Sequence, residues 1–155
     1  MSVLYLGLGT NLGNREKNIN VAVDNIQKLI GKQISLSTLY ETEPWGYTSE
    51  NMYVNAVISV ETELTPQQVL SITQNIEKEM GRAKKSLNGQ YADRIIDIDI
   101  LLYDNMIIKT PELTIPHPLM TKRMFVMKPL AEIAPDLIIP DINKKIKAIV
   151  NESNK

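Results

Sequence analysis

The order in which two periodicities alternate along this chain constrains its fold more than any other feature. Val3–Gly9 (VLYLGLG) is a short apolar run ending in glycine and reads as a buried strand. Thr10 to Asn14 is a turn, with Asn14 placed to cap a helix. Ile19, Ala22, Val23, Ile26, Leu29 and Ile30 then step by three and four, which predicts an amphipathic helix over Arg15–Ile30, with Gly31 as its stop. Ile34, Leu36, Thr38 and Tyr40 alternate with polar residues as a second strand. Tyr53–Glu61 is a third, with Val54, Ala56, Ile58 and Val60 on one face and Tyr53 and Asn55 on the other. Thr65-Pro66-Gln67-Gln68 carries a capping box with proline in the first turn, so a second helix starts there and runs to about Met80, where Gly81 stops it. Its buried stripe is Val69, Ile72, Ile76 and Met80, while Leu70, Gln74 and Glu77 share another face. Arg94–Tyr103 (RIIDIDILLY) is the fourth strand.

Strand, helix, strand, strand, helix, strand is the ferredoxin-like β-α-β-β-α-β plan, an α+β fold with an antiparallel sheet and both helices on one face. The other face is left for a site or for covering elements. A C-terminal extension comes next, cut by Pro111, Pro116, Pro118, Pro129, Pro135 and Pro140 into short pieces, with helical turns expected over Leu119–Val126 and Lys144–Val150.

Composition narrows the function classes. At 155 residues the chain suits one domain, 1–155. Lys+Arg is 17 against Asp+Glu 18, so no bulk positive field exists to hold nucleic acid or an anionic membrane. Cysteine is absent, which excludes disulfides, thiolate metal sites and cysteine nucleophiles and fits a reducing cytoplasm. No secretory signal pattern is present, and no apolar run approaches the roughly 18 residues that span a bilayer. With one histidine, any His-dependent step must use His117.

Arg94-Ile95-Ile96-Asp97-Ile98-Asp99 is the sharpest chemical feature. In a strand Asp97 and Asp99 lie side by side on one face, with isoleucines opposite. Carboxylates this close repel unless a cation lies between them, and oxygen-only ligands select a hard ion such as Mg²⁺ that keeps waters and phosphate oxygens. The competing reading is a solvated edge strand with alternating acids. Arg82, Lys84, Lys85, Arg94, Lys122 and Arg123 bracket the pair in sequence. Cations around carboxylates suit phosphoryl chemistry, although any one of them taken alone is more simply a surface charge. Tyr53 beside Asn55 can stack on and hydrogen-bond to a flat heterocycle, or can lie packed under the tail. Gly7-x-Gly9 with Gly13 follows a strand, but the third glycine comes one residue late for a dinucleotide fingerprint, and no Walker A motif occurs. The segment from Gly7 to Gly13 therefore reads as a tight turn.

Taken together, these segments resemble one family. Gly9-Thr10-Asn11-Leu12-Gly13, Tyr53-Val54-Asn55, Gln74-Asn75-Ile76-Glu77, Gly81-Arg82, Arg94 to Ile100, Pro116-His117-Pro118, Arg123-Met124-Phe125-Val126 and Pro129 to Pro135 occur in the order found in 6-hydroxymethyl-7,8-dihydropterin pyrophosphokinases of folate biosynthesis. The resemblance implies Mg²⁺-dependent transfer of pyrophosphate from ATP to the pterin hydroxymethyl group, with release of AMP. It implies Asp97 and Asp99 as ligands of two Mg²⁺ ions, and Arg82 and Arg94 as stabilisers of the transferring group. Gln74, Glu77, His117 and Arg123 would line the ATP site, with Lys84 at the phosphates and Leu70, Ile98 and Thr114 around adenine and ribose. Tyr53 and Phe125 would sandwich the pterin, and Asn55 would read its edge with Thr42 and backbone near Trp45. Partners would be small molecules only, and the protein a monomer or weak homodimer. The chain departs from the usual pattern at Lys84, Tyr91 and Asp93, which bears on how a loop before the fourth strand closes. Without the resemblance, a ferredoxin-like binding module without catalysis and a kinase for another small alcohol both remain open.

Overall fold

The computed structural model describes residues 1–42, 52–81 and 95–153. β1 (Ser2–Thr10), β2 (Gly31–Leu36), β3 (Tyr40–Thr42), β4 (Tyr53–Thr62) and β5 (Asp97–Tyr103) form one sheet in the order β2-β4-β1-β5, with the short β3 also on β4. Every pairing is antiparallel. With β3 set aside, this is the ferredoxin-like order expected from the sequence. α1 (Arg15–Leu29) and α2 (Pro66–Glu79) share one face.

Their start signals act as written in the sequence. The Asn14 side chain accepts the Lys17 N–H at 3.0 Å. Thr65 and Gln68 form the reciprocal capping box at 3.2 and 2.9 Å. The core on this face joins Leu4, Leu6 and Leu8 of β1 to Ala56, Ile58 and Val60 of β4, Ile98 and Ile100 of β5, Ile19 and Ile26 of α1, and Val69 and Ile76 of α2. Ile72 and Met80 are only partly buried, while Thr73 and Glu77 take fully buried positions on α2.

A second core covers the opposite face. Val57, Leu101 and Leu102 pack there against α3 (Met124–Ile133) and α4 (Ile146–Ser153). Leu101 and Leu102 both point this way because the β1–β5 register shifts between Tyr5 and Leu6, leaving an extra residue in β5.

Four expectations change. β1 keeps Gly7 and Gly9, as the Val3–Gly9 strand reading has it, and runs on to Thr10, so the tight turn does not begin at Gly7. The expected second strand divides into β2 and β3, with Ser37 to Leu39 outside the ladder. Gly31 begins β2 without a left-handed φ; a Cβ there would sit 1.9 Å from the Glu61 carbonyl oxygen, so close strand approach demands the glycine. Gly81, at φ +111°, does end α2 in the left-handed region. In the tail, Leu119–Val126 is a 3₁₀ turn (Met120–Lys122) followed by α3, which carries Pro129 in its interior. Burial of Val126, Met127, Pro129 and Leu130 outweighs the missing N–H. The remaining pieces are two-residue hairpins, β6 (Ile108–Lys109) with β7 (Thr114–Ile115) and β8 (Ile138–Ile139) with β9 (Lys144–Lys145), before α4.

Candidate active site

Strand register assembles the site. Across β1 and β5, Gly7 pairs with Asp99 and Gly9 with Asp97; across β1 and β4, Gly9 pairs with Asn55. Paired residues share a face, so two carboxylates stand on one side of a strip of backbone and an amide on the other. The strip is bare because its residues are glycines. A Cβ on Gly9 would come 3.1 Å from the Asn55 Oδ1 and 3.7 Å from the Tyr53 ring, whereas one on Gly7 would meet Leu101 at ordinary contact distance.

A cavity opens over this strip, between the sheet and the start of α3. Its floor is Gly7, Leu8 and Gly9, with Ala56 beside them. One wall carries Thr42, Tyr53 and Asn55, and the other Asp97 and Asp99. Arg123, Phe125 and Val126 complete it from the tail. The Asn55 Nδ2 donates to the Thr42 Oγ1 at 2.8 Å, which anchors the amide in the cavity wall. The Arg123 Nη1 lies 3.8 Å from the Asp99 Oδ2, and its guanidinium sits 5.6 Å from the Phe125 ring centroid. Thus Arg123, about nine-tenths buried, joins the acid pair to the aromatic wall.

A second group lines the outer edge of β5. The Glu77 carboxylate, only 4% exposed, accepts the Ile98 N–H at 3.0 Å through Oε2 and so ties α2 to that edge. Leu70 is half-buried and Gln74 exposed on the same helix, while Ile98 is turned into the core. Thr114 stands in β7 beside Ile115, and a cis Ile115–Pro116 bond precedes His117. His117 donates its backbone N–H to Leu101 and accepts the Leu119 N–H on Nδ1 at 3.2 Å. The accepting Nδ1 leaves the ring proton on Nε2. Burial, helped by the nearby Arg123 charge and opposed by Asp97, lowers the His117 pKa to about 4. This histidine is neutral at physiological pH.

The described residues therefore bring together all of the expected pterin set except Trp45, with both aspartates and Arg123. Trp45, Arg82, Lys84 and Arg94 lie outside the described residues, as do Tyr91 and Asp93. Gly7 and Gly9 are site residues that sequence reasoning misses. A readable signal exists: Gly-x-Gly and Asp-x-Asp share the strand period of two, so strands that pair in register set one against the other.

The donor set fits a hard divalent cation. Asp97 and Asp99 offer carboxylate oxygens on one face, beside a floor with no side chain to fill the space. Among the described residues no third histidine, cysteine or acid joins them, so the remaining ligands would be water and substrate oxygen. No helix among the described residues is long and apolar enough to cross a membrane.

Residues 5–135 match the family model for 7,8-dihydro-6-hydroxymethylpterin-pyrophosphokinase. The chain is 48% identical over 136 residues to 2-amino-4-hydroxy-6-hydroxymethyldihydropteridine pyrophosphokinase of Porphyromonas gingivalis, covering 87% of this chain and 92% of that one. It is 37% identical over 153 residues to the enzyme of the same name from Aquifex aeolicus, covering 99% and 93%. Among solved structures, Plasmodium falciparum HPPK-DHPS superposes with a TM-score of 0.80 at 18% identity. That alignment covers 98% of this chain and 43% of the longer one, and it shows the shared fold. The chain belongs to the 7,8-dihydro-6-hydroxymethylpterin-pyrophosphokinase family.

Proposed function

We propose that this chain transfers pyrophosphate from ATP to 6-hydroxymethyl-7,8-dihydropterin in folate biosynthesis. The new bond joins the pterin hydroxymethyl oxygen to the β-phosphorus of ATP. The bond from that phosphorus to the oxygen bridging the α- and β-phosphates breaks, and the bridging oxygen leaves with AMP. The hydroxyl proton passes to solvent or phosphate. The observation that carries the reading is that the acid pair and the ring-binding residues open into one cavity.

Each side chain then has a task. Tyr53 and Phe125 stack on the two faces of the pterin. Asn55, oriented by Thr42, hydrogen-bonds its edge, with Trp45 nearby. Asp97 and Asp99 would hold two Mg²⁺ ions. When bound, Mg²⁺ supplies charge neutralisation at the phosphates and polarises the acceptor hydroxyl. Arg82 and Arg94 stabilise the transferring group, with Lys84 as a further cation at the phosphates. Arg123 and the Nε2–H of neutral His117 hydrogen-bond phosphate oxygens. Leu70, Gln74 and Thr114 form the nucleoside wall, while Ile98, also expected there, faces the core and is held with β5 by Glu77. The domain spans 1–155 and acts in the cytoplasm. A monomer or a weak homodimer is the state expected of it.

The test is the nucleotide product. Purified protein with ATP, Mg²⁺ and the hydroxymethyl dihydropterin is expected to yield AMP; ADP, or no turnover, would overturn the reading.

A further inference from the structure

β3 is only three residues long, yet each of them is held by a different element. Tyr40 donates its hydroxyl to Glu132 of α3 at 2.8 Å. The Glu41 Oε2 lies 3.6 Å from the Arg15 Nη2 of α1. Thr42 accepts the Asn55 amide. The register explains the division. Tyr40 pairs with Asn55 and Thr42 with Tyr53, on the cavity face; Glu41 pairs with Val54, on the α1 face.

Arg15 also donates Nη1 to the Met52 carbonyl at 2.8 Å, so one guanidinium holds the residue before Thr42 and the residue before Tyr53. Local rules do not account for an arginine there. It is the first residue of α1, where the helix dipole disfavours a cation. A residue that breaks a local rule is expected to serve a contact elsewhere. On the opposite side the Glu132 carboxylate accepts the Thr38 N–H at 2.9 Å and the Thr38 hydroxyl at 2.8 Å, in addition to Tyr40.

We propose that Arg15 and Glu132 are positioning residues for pterin recognition. They clamp β3 from its two faces, so that Thr42 presents a fixed acceptor to Asn55 and Tyr53 starts β4 at a fixed height. Neither contacts the ring. The inference rests on the pterin reading of the cavity and adds that ring affinity depends on side chains outside it.

The test uses Arg15→Lys, Arg15→Ala and Glu132→Gln in the full chain. Lysine keeps the charge but lacks the fork that reaches Met52 and Glu41 together. Steady-state KM is measured for each substrate, with direct pterin binding followed by the fluorescence of the pterin and folding by thermal melting. The expected result is a pterin KM and dissociation constant raised about tenfold, since small misplacements of binding groups carry costs of that order or more. The ATP KM is expected to stay within about twofold, because the nucleoside wall is remote from β3. If Arg15→Ala does not fold, Arg15→Lys and Glu132→Gln carry the test. Unchanged pterin affinity in both would overturn the proposal. So would a parallel loss of both affinities and of melting temperature, which marks a merely structural role. Failure of the underlying reading is distinct: the unmodified protein would then neither bind nor turn over the pterin.

Discussion

At the scale of single residues, the site works through spacing and charge. Asp97 and Asp99 repel each other as like charges, with Arg123 3.8 Å from Asp99 as a partial offset. Asp97→Asn and Asp99→Asn are each expected to lower kcat on the order of 10²-fold or more, with melting temperature held or raised in Asp97→Asn and lowered in Asp99→Asn, which takes the charge of that carboxylate away from the buried Arg123. Near-normal turnover in either would remove that residue from the metal site. Gly9 makes the opposite kind of contribution, by having no side chain. In Gly9→Ala the new methyl, 3.1 Å from the Asn55 Oδ1, is expected to displace the amide and raise the pterin KM more than the ATP KM.

His117 belongs to the same scale. Its folded pKa of about 4 lies below the ordinary 6.5, so the unfolded chain takes up the proton first as pH falls. Its contribution to stability is therefore complete above about pH 6.5 and is lost progressively toward pH 4. A melting series from pH 7.5 to 4.5 is expected to show a steeper loss in the unmodified protein than in His117→Gln. Both aspartates are legible at this scale because strand period alone places them on one face. The neutral state of His117 is not legible, because it comes from burial and from the nearby Arg123 charge, both set by tertiary structure.

At the scale of elements, signals that satisfy backbone groups locally are readable, and those that depend on neighbours are not. The α2 capping box is complete within four residues, and it forms as written. Thr65→Ala is expected to cost about 1 kcal/mol in denaturant melts, the usual loss for an N-cap. Gly31 reads as a helix stop, but its reason lies across the sheet, in the Glu61 carbonyl. Gly31→Ala is accordingly expected to destabilise by at least about 1–3 kcal/mol, as overpacking does, and to do so by parting β2 from β4. Pro129 reads as a breaker, yet it is buried within α3 because that helix faces the second core. In sequence β3 merges with β2; the break falls where the Ser37 hydroxyl accepts the Val57 N–H and Glu132 accepts the Thr38 N–H, contacts made to residues distant along the chain.

At the scale of the molecule, one sheet carries two cores, and the cavity lies where the second core stops short. Leu101, Leu102 and Val57 are covered by α3 and α4, while Asp97, Asp99 and Asn55, further along the same face, are not. The helices on the first face give β1, β4 and β5 a rigid backing, so the register that sets Gly7 against Asp99 and Gly9 against Asp97 is held by buried apolar residues. The ferredoxin-like order is legible from alternating periods. The covering of its second face is not, because a proline-broken tail shows no period that identifies its partner.

On this face two phosphates are expected to move together. This is tested most directly with two preparations of ATP, labelled at either the β- or the γ-phosphorus, incubated with the protein, Mg²⁺ and the hydroxymethyl dihydropterin. Both labels are expected in the pterin product in equal amount, with unlabelled AMP left behind. Transfer of the γ label alone, with the β label retained in ADP, would contradict it.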